Sequence, residues 1–160
     1  MSLPFVKIPP ELLPIIGEKD EDTRVYRKEG PEEEAAGWYE ALTAIIGDAV
    51  SPGGVSMYCP VSRAAVYKRI GDGKLSMFLY YVTHRKTRLF GGTRVTRESP
   101  YSFIPASEAK AWKTELEERA VREGRITWEE LEGARPDWDG EIMEWRERRD
   151  RAQSKRRGAK

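Results

Sequence analysis

Ser62-Arg63-Ala64-Ala65-Val66-Tyr67-Lys68-Arg69-Ile70 combines a capping hydroxyl, two apolar residues four apart and several cations. With Ser62 as N-cap, the helical period turns Val66 and Ile70 inward with Ala65 beside them. Arg63, Ala64, Tyr67 and Lys68 are left on the outward side. Such a side suits a polyanion. Arg63 at the helix start can reach a guanine edge with two N–H groups, small Ala64 permits close approach to base edges, and Tyr67 and Lys68 can touch phosphate or a base. Ser62 stands where backbone N–H groups favour a phosphate. Lys74, Arg85, Lys86 and Arg88 extend the basic character, and Arg94 and Arg97 add to it. Each residue also has a plainer reading: Ser62 a cap alone, Tyr67 a cover for the core edge, Arg69 a solvated charge, Lys74 a turn lysine. On that reading Arg85, Lys86 and Arg88 form an exposed loop made soluble by charge.

The charge distribution of the whole chain bears on the choice. The 160 residues carry a formal net charge of +1. Residues 1–50 hold 5 Lys and Arg against 11 Asp and Glu, 51–104 hold 9 against 2, and 105–152 hold 10 against 14. The last eight residues hold 4 basic groups and no acid. A basic middle between acidic flanks is the pattern of a polyanion-binding module, although a chain that is 34% charged also produces such runs by chance.

Other chemistries find little material. The lone Cys59 excludes an internal disulfide and a multi-cysteine zinc cluster, and reads as a small core residue. The lone His84 excludes a His-rich metal site, leaves little for a Ser-His-Asp relay, and reads as a polar loop residue. Asp137 and Asp139 around Trp138 have the spacing of a carboxylate pair, which chance supplies readily among 27 acids. There is no phosphate loop and no nucleophile motif, so no enzyme and no cofactor are expected. No apolar run approaches the roughly 18 residues of a membrane span, and residues 1–7 lack the pattern of a signal peptide. A reducing, cytoplasmic setting is the corresponding expectation.

The elements that must position the basic residues can be read along the chain. Four prolines in residues 4–14 and the acids Glu18, Asp20, Glu21 and Asp22 predict an extended Pro-rich acidic arm over 1–32. A helix is predicted over 33–46, with Ala35, Trp38, Tyr39, Leu42, Ile45 and Ile46 on one face. Ser51-Pro52 opens a short helix, Pro60-Val61 forms a corner, and Ser62 caps the next helix, which Gly71-Asp72-Gly73 ends. Leu75–Thr83 is rich in aromatics and reads as a strand. Leu89-Phe90 resumes strand character, Gly91-Gly92 signals a hairpin, and 93–96 and 101–104 are further strands. Ser107 opens a helix to about Glu123, stopped by Gly124, with Ala109, Trp112, Leu116 and Ala120 on its apolar side. Thr127-Trp128-Glu129-Glu130 has the capping-box pattern, and 139–152 is a last, highly charged helix. The fold class is α+β. The expected division is an arm over 1–32, a core over 33–123, a helical extension over 124–152 and a disordered basic tail over 153–160.

The segment from Ser51 to Leu75 resembles the helix-turn-helix and wing entry of the excisionase/MerR-like winged-helix superfamily. Ser51-Pro52 stands at the first helix, Val61-Ser62-Arg63 at the corner and second-helix start, Val66-Tyr67-Lys68 and Ile70 within it, and Gly73-Lys74-Leu75 before the wing. Phe103-Ile104-Pro105-Ala106-Ser107-Glu108 with Trp112 resembles the exit strand and following helix. The resemblance spans residues 51–112. Gly53-Gly54 stand where the family has helix formers, and the span from Leu75 to Ile104 is longer than a short wing. The resemblance implies a winged helix-turn-helix with a long β wing and additional flanking helices. It implies sequence-specific binding of double-stranded DNA through Ser62, Arg63, Ala64, Tyr67, Lys68, Lys74, Arg85, Lys86 and Arg88, by a transcriptional regulator or recombination directionality factor. Limited affinity from one such unit implies a homo-oligomer, with the helices at 33–46 and 107–123 as candidate dimer surfaces and the C-terminal helices as a site for a protein partner. A phage terminase small subunit and a winged-helix protein-interaction module that does not bind DNA are the alternatives.

Overall fold

A central strand whose first six residues are apolar organises the structure, a computed structural model that describes residues 5–87, 91–125 and 127. The strand is β4 (Met77–Thr87), and its residues 77–80 are all buried. β2 (Val25–Gly30) lies parallel to it on one side, with Tyr26 opposite Phe78, and β1 (Glu18–Lys19) continues beyond β2. On the other side β6 (Tyr101–Pro105) runs antiparallel, with Phe103 opposite Phe78, and β3 (Ala49–Val50) pairs with β6. The strand order is β1-β2-β4-β6-β3. The far half of β4 forms a hairpin with β5 (Thr93–Arg97).

α2 (Ala35–Ile46) packs Trp38, Leu42 and Ile46 into a cluster with Ile16, Tyr26, Phe78, Tyr80, Val82 and Phe103. The Tyr26 and Phe78 rings stack at 4.7 Å, and the Trp38 indole N–H donates to the Ile16 carbonyl at 2.9 Å. Burying side chains of this size stabilises by roughly 1.5–3 kcal/mol each, so Trp38, Leu42 and Ile46 of the α2 stripe belong to the core of this unit. One bond fixes the entry to α2 and another its exit: the Tyr80 hydroxyl donates to the Pro31 carbonyl at 2.7 Å, and the Gly47 N–H after the last turn donates to the Thr43 carbonyl at 2.9 Å.

The segment expected as an extended arm is more structured than its prolines suggest. A 3-10 turn (Pro10–Leu12) leads into α1 (Leu13–Ile16), and Ile16, Val25 and Tyr26 are buried. Residues 25–30 are a full strand of the sheet. Val25-Tyr26-Arg27-Lys28-Glu29-Gly30 lacks strand alternation, and its partner β4 lies about fifty residues on, so nothing local announces it.

Two further helices, α3 (Pro52–Tyr58) and α4 (Arg63–Gly71), connect β3 to β4, and α5 (Ala106–Arg122) follows β6 directly. The chain divides into two compact units, Met1–Glu115 and Leu116–Lys160. In the second, the described residues are the end of α5 and the turn after it, where Arg125 pairs with Glu123 at 2.8 Å. The short helix expected after Thr127, the helix at 139–152, the tail at 153–160, the Asp137/Asp139 pair and the strand at Leu89-Phe90 lie outside the described residues. No helix of the described residues is long and apolar enough to cross a membrane.

Candidate nucleic-acid interface

α3 starts as its sequence demands. The Ser51 hydroxyl accepts from the Gly54 N–H at 3.0 Å, and Pro52 occupies the first helical position. Gly54 is buried, and a Cβ there would lie 2.6 Å from Val50 Cγ1. The glycine that reads as a weakness in the helix therefore lets α3 lie against β3. Val55 and Cys59 point into the core, and the Cys59 thiol lies 3.5 Å from the Ala109 carbonyl of α5. The corner to α4 is closed by Ser56, whose carbonyl accepts from Val61 N–H at 3.2 Å and whose hydroxyl donates to the Val61 carbonyl at 2.6 Å. Sequence reasoning did not find Ser56; its only signal is a hydroxyl five residues before a Pro-Val corner.

α4 follows the predicted phase. The Ser62 hydroxyl caps it by accepting from Ala65 N–H at 3.1 Å. Val66 and Ile70 are buried, while Ser62, Arg63, Ala64, Tyr67 and Lys68 are exposed. Tyr67 keeps 52% of its surface, so it covers little of the core edge. Among the described residues Arg63 has no acidic partner. It also sits in the first turn of α4, where the helix dipole disfavours a cation.

Arg69 is not the solvated charge that its helical position suggests. Its guanidinium bonds Glu115 at 2.8 Å, lies 4.9 Å from the centre of the Trp112 ring, and leaves only 11% of the side chain exposed. It ties α4 to α5, so it is unavailable to a ligand. Both partners lie more than forty residues away in sequence.

Past α4, Lys74 is exposed between Gly73 and the buried Leu75. Its neighbourhood is anchored by Glu108, a buried carboxylate that the sequence does not single out. Glu108 Oε1 accepts from Ser76 N–H at 2.9 Å and Oε2 from Val6 N–H at 3.3 Å. Burial pushes this carboxyl above its ordinary value of 4.5, and the Ser76 and Val6 bonds with the Arg24 charge oppose the rise only in part. Tyr26 is the other titratable group facing it. A raised native value means that the native state holds a proton which the unfolded chain has released, so stability falls with rising pH above about 4.5. Urea melts between pH 4.5 and 7 should show the stability of the wild type declining relative to Glu108→Gln. A pH-independent difference would contradict this account.

The basic hairpin is only partly as expected. Arg85 and Lys86 occupy consecutive positions of β4, opposite Val95 and Arg94 respectively, so that one register pair of the hairpin is basic on both strands. Arg88 lies outside the described residues. Arg97 is already engaged, paired with Glu29 and lying 5.1 Å from the centre of the Tyr81 ring. His84 Nε2 stands 3.0 Å from Glu98 Oε1. Among the described residues no group of three His, Cys, Asp or Glu is placed to hold a metal ion. The structure thus brings Ser62, Arg63, Ala64, Tyr67 and Lys68 together on one open side of α4, with Arg85 and Lys86 on a separate hairpin. Comparison with protein-family models, with curated protein sequences and with solved structures yields no match.

Proposed function

We propose that this chain is a sequence-specific double-stranded DNA-binding protein of the excisionase/MerR-like winged helix-turn-helix kind, a transcriptional regulator or recombination directionality factor, and not an enzyme. One observation carries the reading. α4 is capped by Ser62, anchored by Val66 and Ile70, and presents Arg63, Ala64, Tyr67 and Lys68 to solvent. A helix held from behind, with cations and a small residue in front, can enter a major groove. The winged reading is supported by the order α2-β3-α3-α4-β4-β5-β6, in which β6 lies between β3 and β4 and β5 pairs with β4 off the main strand path, as the hairpin of a wing would. The facing basic positions Lys86 and Arg94 support a wing that meets phosphates. The protein acts as a homo-oligomer, because a single module of this size gives limited affinity.

The test is selection from a random duplex pool, followed by anisotropy titrations with one selected and one unselected duplex across salt concentrations. If about five cations meet phosphates, the log–log salt slope is roughly −4 to −5. Arg63→Ala should weaken the selected duplex by about tenfold or more while barely affecting the unselected one, and should leave the melting temperature undiminished. Equal loss on both duplexes would remove Arg63 from base readout. A second reading is favoured by Met57 and Tyr67, which expose 79% and 52% of their surfaces on α3 and α4: a protein-interaction module. A salt-insensitive protein complex with no DNA shift at low salt would select it. Ring assembly with stimulation of an ATPase partner would select a phage terminase small subunit.

A further inference from the structure

Gly53 lies on the first turn of α3, and its missing side chain is occupied by another residue. A Cβ built there would stand 2.9 Å from Arg63 Nη2, 3.5 Å from Cζ and 3.6 Å from Nε. The guanidinium of Arg63 therefore rests on the bare backbone of Gly53, although the arginine as a whole stays exposed. A glycine is a poor choice for a helix, where alanine would be about 1 kcal/mol better. Its neighbour Gly54 has a packing reason in Val50; at Gly53 the three atoms nearest to an added Cβ all belong to Arg63. Arg63 has no acidic partner among the described residues, so no ion pair orients it. A long, flexible side chain loses rotamer entropy when it forms a fixed contact, and a surface that confines it beforehand lowers that cost.

We infer that Gly53 is a positioning residue for base recognition: it gives the Arg63 guanidinium a flat seat on α3 and so sets the direction in which α4 offers it to a guanine edge. The inference rests on the DNA-binding reading of α4 and adds to it a residue on the other helix. Gly53 touches no nucleotide and acts only through Arg63. The first turn of α3 gives stability away in return for the orientation of a side chain on α4.

The experiment uses the full chain, with Gly53→Ala, Arg63→Ala and the double variant. The first readout needs no DNA. The Arg63 side-chain Nε–H resonance should shift in Gly53→Ala, as an added methyl displaces the guanidinium. An unmoved resonance would overturn the seat. The second readout is affinity for the selected and unselected duplexes. Gly53→Ala should weaken the selected duplex by about tenfold, within the range of one bidentate contact, leave the unselected duplex unchanged and keep or raise the melting temperature. In the Arg63→Ala background the same change should have no further effect on binding. Additive losses, equal losses on both duplexes, or a moved resonance with unchanged discrimination would each overturn the inference. If the wild type selects no duplex while the resonance still moves, the DNA-binding reading itself is what fails, and the positioning role falls with it.

Discussion

Val66→Asp is expected to abolish cooperative folding of the 1–115 unit. Val66 is fully buried on the inner side of α4, with Ile70 one turn on. A carboxylate in that position would be enclosed away from water, and burying a charge without a built partner costs several kcal/mol even after relaxation. That is comparable with the roughly 5–15 kcal/mol by which a whole domain is stable. Circular dichroism should show loss of the thermal transition, not merely a shift. Val66→Ala, which only leaves a cavity, should keep the transition and lower stability by about 1–3 kcal/mol. The pair separates an error of helix phase from general fragility. A Val66→Asp variant that melts like the wild type would mean that Val66 faces water, and the outward set of Arg63, Ala64, Tyr67 and Lys68 would then be wrong as well.

Gly17→Ala should be almost as damaging, for a backbone reason. Gly17 leaves α1 at φ 136° and ψ 166°, a region that residues with a side chain rarely adopt. A Cβ there would lie 2.6 Å from the Arg27 carbonyl oxygen and 2.7 Å from its carbon. Neither can move away cheaply, because Arg27 is held in β2 between Glu18 of β1 and Leu79 of β4. Strain of about 1–3 kcal/mol and an overpacking cost of about the same size act together. We expect a loss of about 3 kcal/mol or more, read as a fall in melting temperature of roughly 10 °C. Gly47→Ala is the matched comparison: its backbone (φ 77°, ψ −149°) is also one that favours glycine, but a Cβ there meets nothing within 4 Å, so it should lose the strain of about 1–3 kcal/mol without the overpacking. Similar losses at both positions would show that the close approach at Arg27 carries no weight.

These two variants probe opposite kinds of information. Val66 could be assigned from the chain alone, because the interval to Ile70 and the cap at Ser62 are local. The same holds for Ser51, for the face of α2 bearing Trp38, Leu42 and Ile46, and for Gly47 and Gly124 at helix ends. Gly17 could not be assigned. Its need for glycine arises from Arg27, on a strand reached only after a turn. Gly53 and Gly54 remain poor helix formers, but the chain alone does not show the neighbours the fold sets against them, Arg63 and Val50.

Electrostatic roles were the least legible. Arg69, Arg97 and Lys68 look alike in a basic stretch. Arg69 is held by Glu115 and Trp112, Arg97 by Glu29 and Tyr81, and only Lys68 belongs to the open side of α4. Glu108 stands in the sequence only as the end of the Phe103–Glu108 match, and the fold makes it a buried anchor for Ser76 and Val6.

Sequence alone determined the α+β class, the two capped helices and the side of α4 that faces solvent, since caps and the i, i+4 interval act within a single turn. Tertiary structure decided that residues 25–30 join the sheet, which arginines remain open and why residues 17, 53 and 54 are glycine. Those outcomes depend on atoms brought together from distant parts of the chain, and such proximity has no periodicity along the sequence by which it could be read.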